Sequence, residues 1–241
     1  MMNLDAPSLS AGMPAIRIER PASAGSQAYA ALRHAIVTLK LRPGQLLSEQ
    51  GIAQQLRTSR TPVREAFIKL ADTGLIEVQA QRGTFVRKIS AKAVRDARFV
   101  REAIETVVLR EAVGRLSGAF FTAMHELVAA QRAAAAGNAL ERFLALDDAF
   151  HRAFATAIDH GHAWTVVEAQ KAQIDRVRYL SLPGATPIDR LIDQHEAILA
   201  AVERGDASAA ETAMRTHLAE VLAVLEPLSQ RYPDLFEREA G

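Results

Sequence analysis

Asp147 and His151 stand four residues apart in Phe143-Leu144-Ala145-Leu146-Asp147-Asp148-Ala149-Phe150-His151. That spacing puts both on one face of a helix. Two more imidazoles fall in later helical patterns: His195 within Asp193-Gln194-His195-Glu196, and His217 within Met214-Arg215-Thr216-His217-Leu218. One carboxylate and three imidazoles from three helices make a donor set suited to zinc, nickel, manganese or iron rather than magnesium or calcium. Fixing three helices around one ion would tie their positions to whatever binds there. The chain has 7 His, and a single His is most often a surface or satisfied core residue, so spacing alone leaves convergence open. Asp148, the neighbouring carboxylate, lies about 100° further round the helix, off the His151 face. The same donors could hold a catalytic metal with an open position. A hydrolase would also need a placed general base, and no His-Glu-x-x-His or similar motif occurs. A third possibility is a metal-free bundle with an apolar ligand pocket.

The elements that must carry these residues are helical. Ser90 is a good N-cap, and the apolar periodicity after it predicts helices at about 91–115, 118–136, 138–159, 162–180, 187–204 and 206–227. Gly118, Gly137-Asn138, Gly161, Pro183-Gly184 and Gly205-Asp206 separate them, with Asn138 and Asp206 read as caps. Six amphipathic helices with short loops predict an all-α antiparallel bundle over 90–228, followed by a tail at 229–241.

The first third reads differently. Residues 1–25 are rich in Ala, Ser, Pro and Gly without periodicity and read as a disordered arm. Tyr29, Leu32, Ile36 and Leu39 then form one helical face, which Leu41-Arg42-Pro43-Gly44 terminates. A short helix follows Ser48, with Ile52, Ala53 and Leu56 inward. A third opens near Ser59 with Pro62 in its first turn and Val63, Ala66, Phe67 and Leu70 as core. Leu75–Gln79 and Thr84–Arg87 are β-like runs joined by Gln81-Arg82-Gly83. Three helices and a hairpin make a winged helix-turn-helix over 26–89. The fold class is thus mostly α: a winged helix-turn-helix and then a helical bundle.

Charge follows the same division. Residues 1–90 hold 12 Lys/Arg against 6 Asp/Glu, net +6; residues 91–241 hold 17 against 22, net −5. A basic first third suggests a polyanion partner, here double-stranded DNA. Ser59, Arg60, Thr61 and Arg64 occupy the start of the third helix, away from its core face. In a helix-turn-helix that segment enters the major groove, where Arg can donate two bonds to guanine or bind phosphate. Arg82 and Gly83 at the hairpin tip suit a wing. The chain has no Cys and no apolar run of the roughly 18–20 residues a membrane span needs. Met1 to Pro21 lack the basic start and apolar run of a signal peptide. These features favour a cytoplasmic protein with no membrane partner.

The first third resembles the GntR family of bacterial transcription regulators. The match runs through Leu46-Leu47-Ser48-Glu49, Ile52-Ala53, Leu56, Ser59-Arg60-Thr61-Pro62-Val63-Arg64-Glu65-Ala66, Leu70, Gly74-Leu75-Ile76 and Gly83-Thr84-Phe85-Val86. Arg57-Thr58 stands where Gly-Val is common, and Arg57 could add a phosphate contact; Gln50-Gly51 is a second departure. The segment around Asp147 and His151, then His195 and His217-Leu218, resembles the FCD-type ligand domain of the FadR subfamily, with a helix count of six that resembles its VanR-like branch. This resemblance implies a homodimer on a short palindromic operator, repression relieved by ligand, and a divalent metal, zinc foremost, held by Asp147, His151, His195 and His217. It also implies a small organic acid completing the metal shell. Arg101 with Glu105 resembles a family Arg–Glu motif and makes Arg101 a candidate for an anionic effector, although the pair reads equally as an ordinary helix-surface ion pair. Arg178 and Arg176 are further candidates. His162 stands where the family often has Asn; His125 and His160 carry no assigned role, and Trp164 reads as core.

Overall fold

The computed structural model describes residues 23–182 and 184–238. The arm expected over 1–25 lies outside them, except for Ser23, which caps the first helix, and residues 24 and 25, which belong to it. Ser23 caps helix α1 (Ala24–Val37), its Oγ accepting from Ser26 N at 3.1 Å. The helix stops before Pro43: Thr38 Oγ1 donates to the His34 carbonyl, and Leu39 turns back at φ 58° instead of extending the apolar face. The buried face is therefore Ala28, Leu32 and Ile36.

Leu46 and Leu47 form a short strand, β1 (Leu46–Leu47), which the sequence reading did not separate. Then come α2 (Glu49–Gln55), α3 (Arg60–Asp72), β2 (Ile76–Gln79) and β3 (Gly83–Val86). The sheet order is β1-β3-β2, antiparallel throughout, with Leu46 opposite Phe85 and Ile76 opposite Val86. Val63, Ala66, Phe67 and Leu70 from α3 meet Ile36, Leu75 and Val86 in one core. Gly83 begins β3 at φ +113°, and an added Cβ there would lie 2.8 Å from Leu46 Cδ1. The wing thus needs Gly at this position.

The rest is helical: α4 (Ala91–Ala112), α5 (Gly118–Ala136), α6 (Leu140–Ala157), α7 (Gly161–Gln170), α8 (Ala172–Ser181), α9 (Ile188–Glu203) and α10 (Ala207–Arg231). Ser90 and Asp206 cap their helices as read, accepting from Ala93 N and Ala209 N. Asn138 does not: it takes φ 52° after α5, and Ala139 opens α6 without a side-chain cap.

Two boundaries differ from the periodicity. The single helix expected over 162–180 is two, broken at Lys171, so the described bundle has seven helices and the support a count of six gave to the VanR-like branch is gone. No Gly or Pro marks the break. At the break the Lys171 ammonium is buried against carboxylates of α6 and α8. The expected tail is also docked. Helix α10 runs through Pro227 to Arg231 because Leu225 and Leu228 bury against Ile89, Val94 and Ile174. Beyond it, Ile89 N donates to the Leu235 carbonyl and Glu237 N to the Ile89 carbonyl, both at 2.9 Å.

Candidate metal centre and DNA-binding face

Helices α6, α9 and α10 bring Asp147, His151, His195 and His217 together. One donor atom from each lies within 4.8 Å of the others, and all four residues are buried. His217 Nε2 is 3.2 Å from His151 Nε2 and 3.3 Å from His195 Nε2. The Asp147 carboxylate oxygens lie 3.8 Å from His151 Nε2 and 3.7 Å from His195 Nε2. Asp148 is not part of the set; it pairs with Lys171 at 2.8 Å.

The opposite ring nitrogens decide what these Nε2 atoms are. His195 Nδ1 donates to Gln131 Oε1 at 2.8 Å, and the Gln131 amide is oriented by its own donation to the Leu146 carbonyl. His217 Nδ1 donates to Gln194 Oε1 at 3.0 Å, while Gln194 Nε2 donates to Glu220 at 2.7 Å. His151 Nδ1 lies 2.6 Å from Glu105 Oε2. The amide acceptors place the proton of His195 and of His217 on Nδ1, and the carboxylate facing His151 Nδ1 favours the same tautomer there, which leaves three Nε2 atoms facing one another. Facing lone pairs at these separations are what a cation between them would satisfy. Donors around a tetrahedral ion with Zn–N bonds of 2.0–2.1 Å lie roughly 3.3–3.4 Å apart, close to the separations here. The donor set fits a divalent transition metal.

The electrostatics agree. Burial pushes the His195 pKa down to about 3 and holds His217 well below the imidazole range, so both stay neutral and able to ligate. Burial alone would raise the Asp147 carboxyl, but the Arg178 guanidinium beside it outweighs burial and keeps the group ionised. Glu105 behaves likewise: burial raises it, Arg101 and His151 overcome this, and it settles at about 2.

Gln131, Gln194 and Glu105 were not singled out as partners of the rings. They lie 64, 23 and 46 residues from them in the chain, and no local motif joins them. Gln194→Ala is expected to weaken zinc binding about 10–100-fold without changing its stoichiometry; competition with a zinc chelator reads this directly.

Beside the donors is a cavity of about 40 Å³ lined by Arg98, Arg101, Asp147, Arg178, Thr186, His217 and Glu220, with Ser181 and apolar residues completing the wall. Arg101 and Glu105 are not a surface pair. Both are buried, with Arg101 Nε donating to Glu105 Oε1 at 2.6 Å. Arg178 Nη2 stands 2.6 Å from Asp147 Oδ2, off the hydrogen-bonding direction. The Nη2 groups of both arginines are buried without a hydrogen-bond partner, as are both Asp147 oxygens. Buried orphan donors on this scale are costly, and an anion in the cavity would satisfy them. Arg176 takes no part: it donates to the Arg87 carbonyl at 2.7 Å and to Gln173 at 3.1 Å. His125, His160 and His162 are exposed, and Trp164 is core.

In the N-terminal third, Ser59, Arg60, Thr61 and Arg64 are all exposed at the start of α3. Arg57 is exposed in the α2–α3 turn at φ 52°, a conformation that Gly adopts without strain. Arg82 and Gly83 are exposed at the wing tip. Glu49, not singled out from the sequence, accepts from Arg60 at 3.0 Å and Arg64 at 3.3 Å, and these bonds hold its carboxyl below the usual range. Exposed pairs of this kind contribute about 0–1 kcal/mol. Glu49 thus presents the two guanidiniums side by side and yields readily to a phosphate or base.

A winged helix-turn-helix bearing exposed arginines, joined to a helical bundle with a buried Asp/His3 group that could hold a metal, is the arrangement of a DNA-binding regulator. Comparison with known proteins places it further. Residues 24–86 match the model of bacterial regulatory proteins of the gntR family, and residues 96–220 match the FCD domain. The chain belongs to the GntR family of transcription regulators, in its FadR-like FCD subfamily. It is 39% identical over 213 residues to the HTH-type transcriptional repressor RspR of Escherichia coli K12, covering 88% of this chain and 93% of that one. It is 32% identical over 191 residues to a probable D-xylose utilization operon transcriptional repressor of Paenarthrobacter nicotinovorans, covering 76% and 80%. Among solved structures it shares its fold with E. coli McbR/YncC (TM-score 0.73, 20% identity, 87% of this chain and 99% of that one). A putative GntR regulator of Rhodococcus sp. RHA1 is similar (TM-score 0.71, 23% identity, 84% and 97%). The relatives are regulators, and the chain is a transcription regulator, not an enzyme. No helix among the described residues is long and apolar enough to cross a membrane.

Proposed function

We propose that this regulator is a cytoplasmic repressor that senses a small organic acid at a divalent metal, zinc foremost, with nickel, manganese or iron as the other fits. Asp147, His151, His195 and His217 hold the ion, and Arg101 and Arg178 bind the acid. The observation that carries this reading is the set of three Nε2 lone pairs facing one another beside a buried carboxylate, next to two guanidiniums with unpaired N–H groups. A divalent metal held by these four residues would supply a Lewis-acid centre for a carboxylate oxygen. The arginines supply charge-assisted donors that orient the rest of the acid. An apolar effector in the same cavity would leave these charges desolvated and unpaired.

On DNA, a homodimer sets two winged helices on a palindromic operator, with Ser59, Arg60, Thr61 and Arg64 at the major groove, Arg57 at phosphate, and Arg82 and Gly83 at the wing. The acid releases DNA because it binds the two states of the bundle unequally. Arg64→Ala is expected to weaken binding to a selected operator by about 1–3 kcal/mol; unchanged affinity in a gel-shift titration would remove Arg64 from base reading.

A thermal-shift screen of small carboxylates and sugar acids, with and without chelator, tests the sensing claim. Stabilisation that vanishes with chelator supports it. Hits indifferent to chelator, or apolar hits only, overturn it.

A further inference from the structure

We propose that helix α8 carries the state of the metal site to the DNA-binding third of the chain, a proposal that rests on the sensing function above. The helix has ten residues and is cut off from α7 at Lys171. Gln173, Asp175 and Arg176 on it are buried, and so is Lys171 at its start. These are charged and polar groups in a place where apolar residues would serve packing alone, and three of them reach the winged helix while Lys171 ties α8 to α6.

At one end is the site. Arg178 Nη2 contacts Asp147 Oδ2 at 2.6 Å, and its Nη1 has two other carboxylates in range, Asp148 at 3.6 Å and Asp175 at 3.9 Å. At the other end is the winged helix. Asp175 Oδ2 accepts from Arg33 Nη2 of α1 at 3.3 Å. Gln173 Nε2 donates at 3.2 Å to the Gly74 carbonyl, in the turn between α3 and β2. Arg176 Nη2 donates at 2.7 Å to the Arg87 carbonyl, just past the wing. Lys171 ties the middle, contacting both Asp175 oxygens at 2.7 and 2.8 Å and Asp148 at 2.8 Å. One short helix therefore holds the metal-site carboxylate with one residue and the reading head with three.

Asp147 is the shared terminal. With no cation, its charge is balanced by Arg178. A divalent ion bound to Asp147 takes over that role and repels the guanidinium. Arg178 then shifts its pairing toward Asp148 and Asp175, and Asp175 is the carboxylate that holds Arg33. The competition for Asp175 gives the ion-pair network two arrangements, and the metal site biases the choice between them.

The test is hydrogen–deuterium exchange on the full-length protein, with chelator and with added zinc chloride, alongside measured zinc stoichiometry. In the wild type, zinc is expected to change exchange rates in residues 24–37 at least about fivefold, the low end of typical coupling. Asp175→Asn and Arg33→Gln are expected to bind zinc with unchanged stoichiometry while this change falls below about twofold. Arg33 lies outside the bundle with a partly exposed side chain, so its variant keeps the test decisive if Asp175→Asn folds poorly. Zinc bound with no response in residues 24–37, or the same response in both variants, overturns the α8 route alone. Failure of the wild type to bind zinc overturns the sensing site itself, and the route with it.

Discussion

Stripping the metal is expected to lower the melting temperature of this regulator by about 8–16 °C. The size follows from the site. Three rings whose Nδ1 protons are committed to Gln131, Gln194 and Glu105 have only Nε2 left to offer, and these atoms sit 3.2–3.3 Å apart in a buried pocket. Nothing in the protein neutralises that arrangement as a cation does. A ligand present at a thousand times its Kd stabilises the native state by about 4 kcal/mol. In a chain of this size each kcal/mol moves the midpoint by about 2–4 °C. Differential scanning calorimetry with zinc and with excess chelator measures the shift. A difference of less than about 2 °C would mean that the four donors do not close on an ion.

The second large effect concerns Asp147 without any metal. Asp147→Asn keeps the shape but removes the charge facing Arg178 at 2.6 Å, both side chains being largely buried. Breaking a buried pair by neutralising one partner costs about 3–5 kcal/mol because the other charge is left in low dielectric. Asp148 and Asp175 stand close enough to take up part of the Arg178 charge, so a value near 3 kcal/mol is expected. Adding Arg178→Met should restore most of it, since removing both charges is nearly neutral. Urea denaturation of the chelated proteins gives the double-mutant cycle. Equal losses in the single and double variants would show that the pair contributes nothing.

Much of this could be read in advance because the relevant signals are local. The Asp147–His151 spacing lies within one helix. The Ser59–Arg64 stretch opens another, and the hairpin is written in Gly83 and its flanking strands. Parts that depend on distant chain segments were not legible. The break at Lys171 carries no Gly or Pro, and the burial of its ammonium against Asp148 and Asp175 depends on how the helices pack. The last helix continues past 227, where the periodicity placed its end, because Leu225 and Leu228 on either side of Pro227 bury and outweigh the hydrogen bond the proline loses. Arg101 with Glu105 reads equally as a surface pair, since i, i+4 spacing says nothing about which way the helix faces. Arg176 looked like an effector ligand and instead hydrogen-bonds the Arg87 carbonyl. Glu49 illustrates the same limit: its role beside Arg60 and Arg64 is set by how α2 packs on α3.

The most direct measurement is elemental analysis of the protein purified without an affinity tag or chelator, with His195→Ala prepared alongside. The account expects one equivalent of a divalent transition metal, zinc foremost, in the wild type and little or none in the variant, whose winged helix should still bind DNA. A metal-free wild type, or a variant that retains its full metal content, would contradict it.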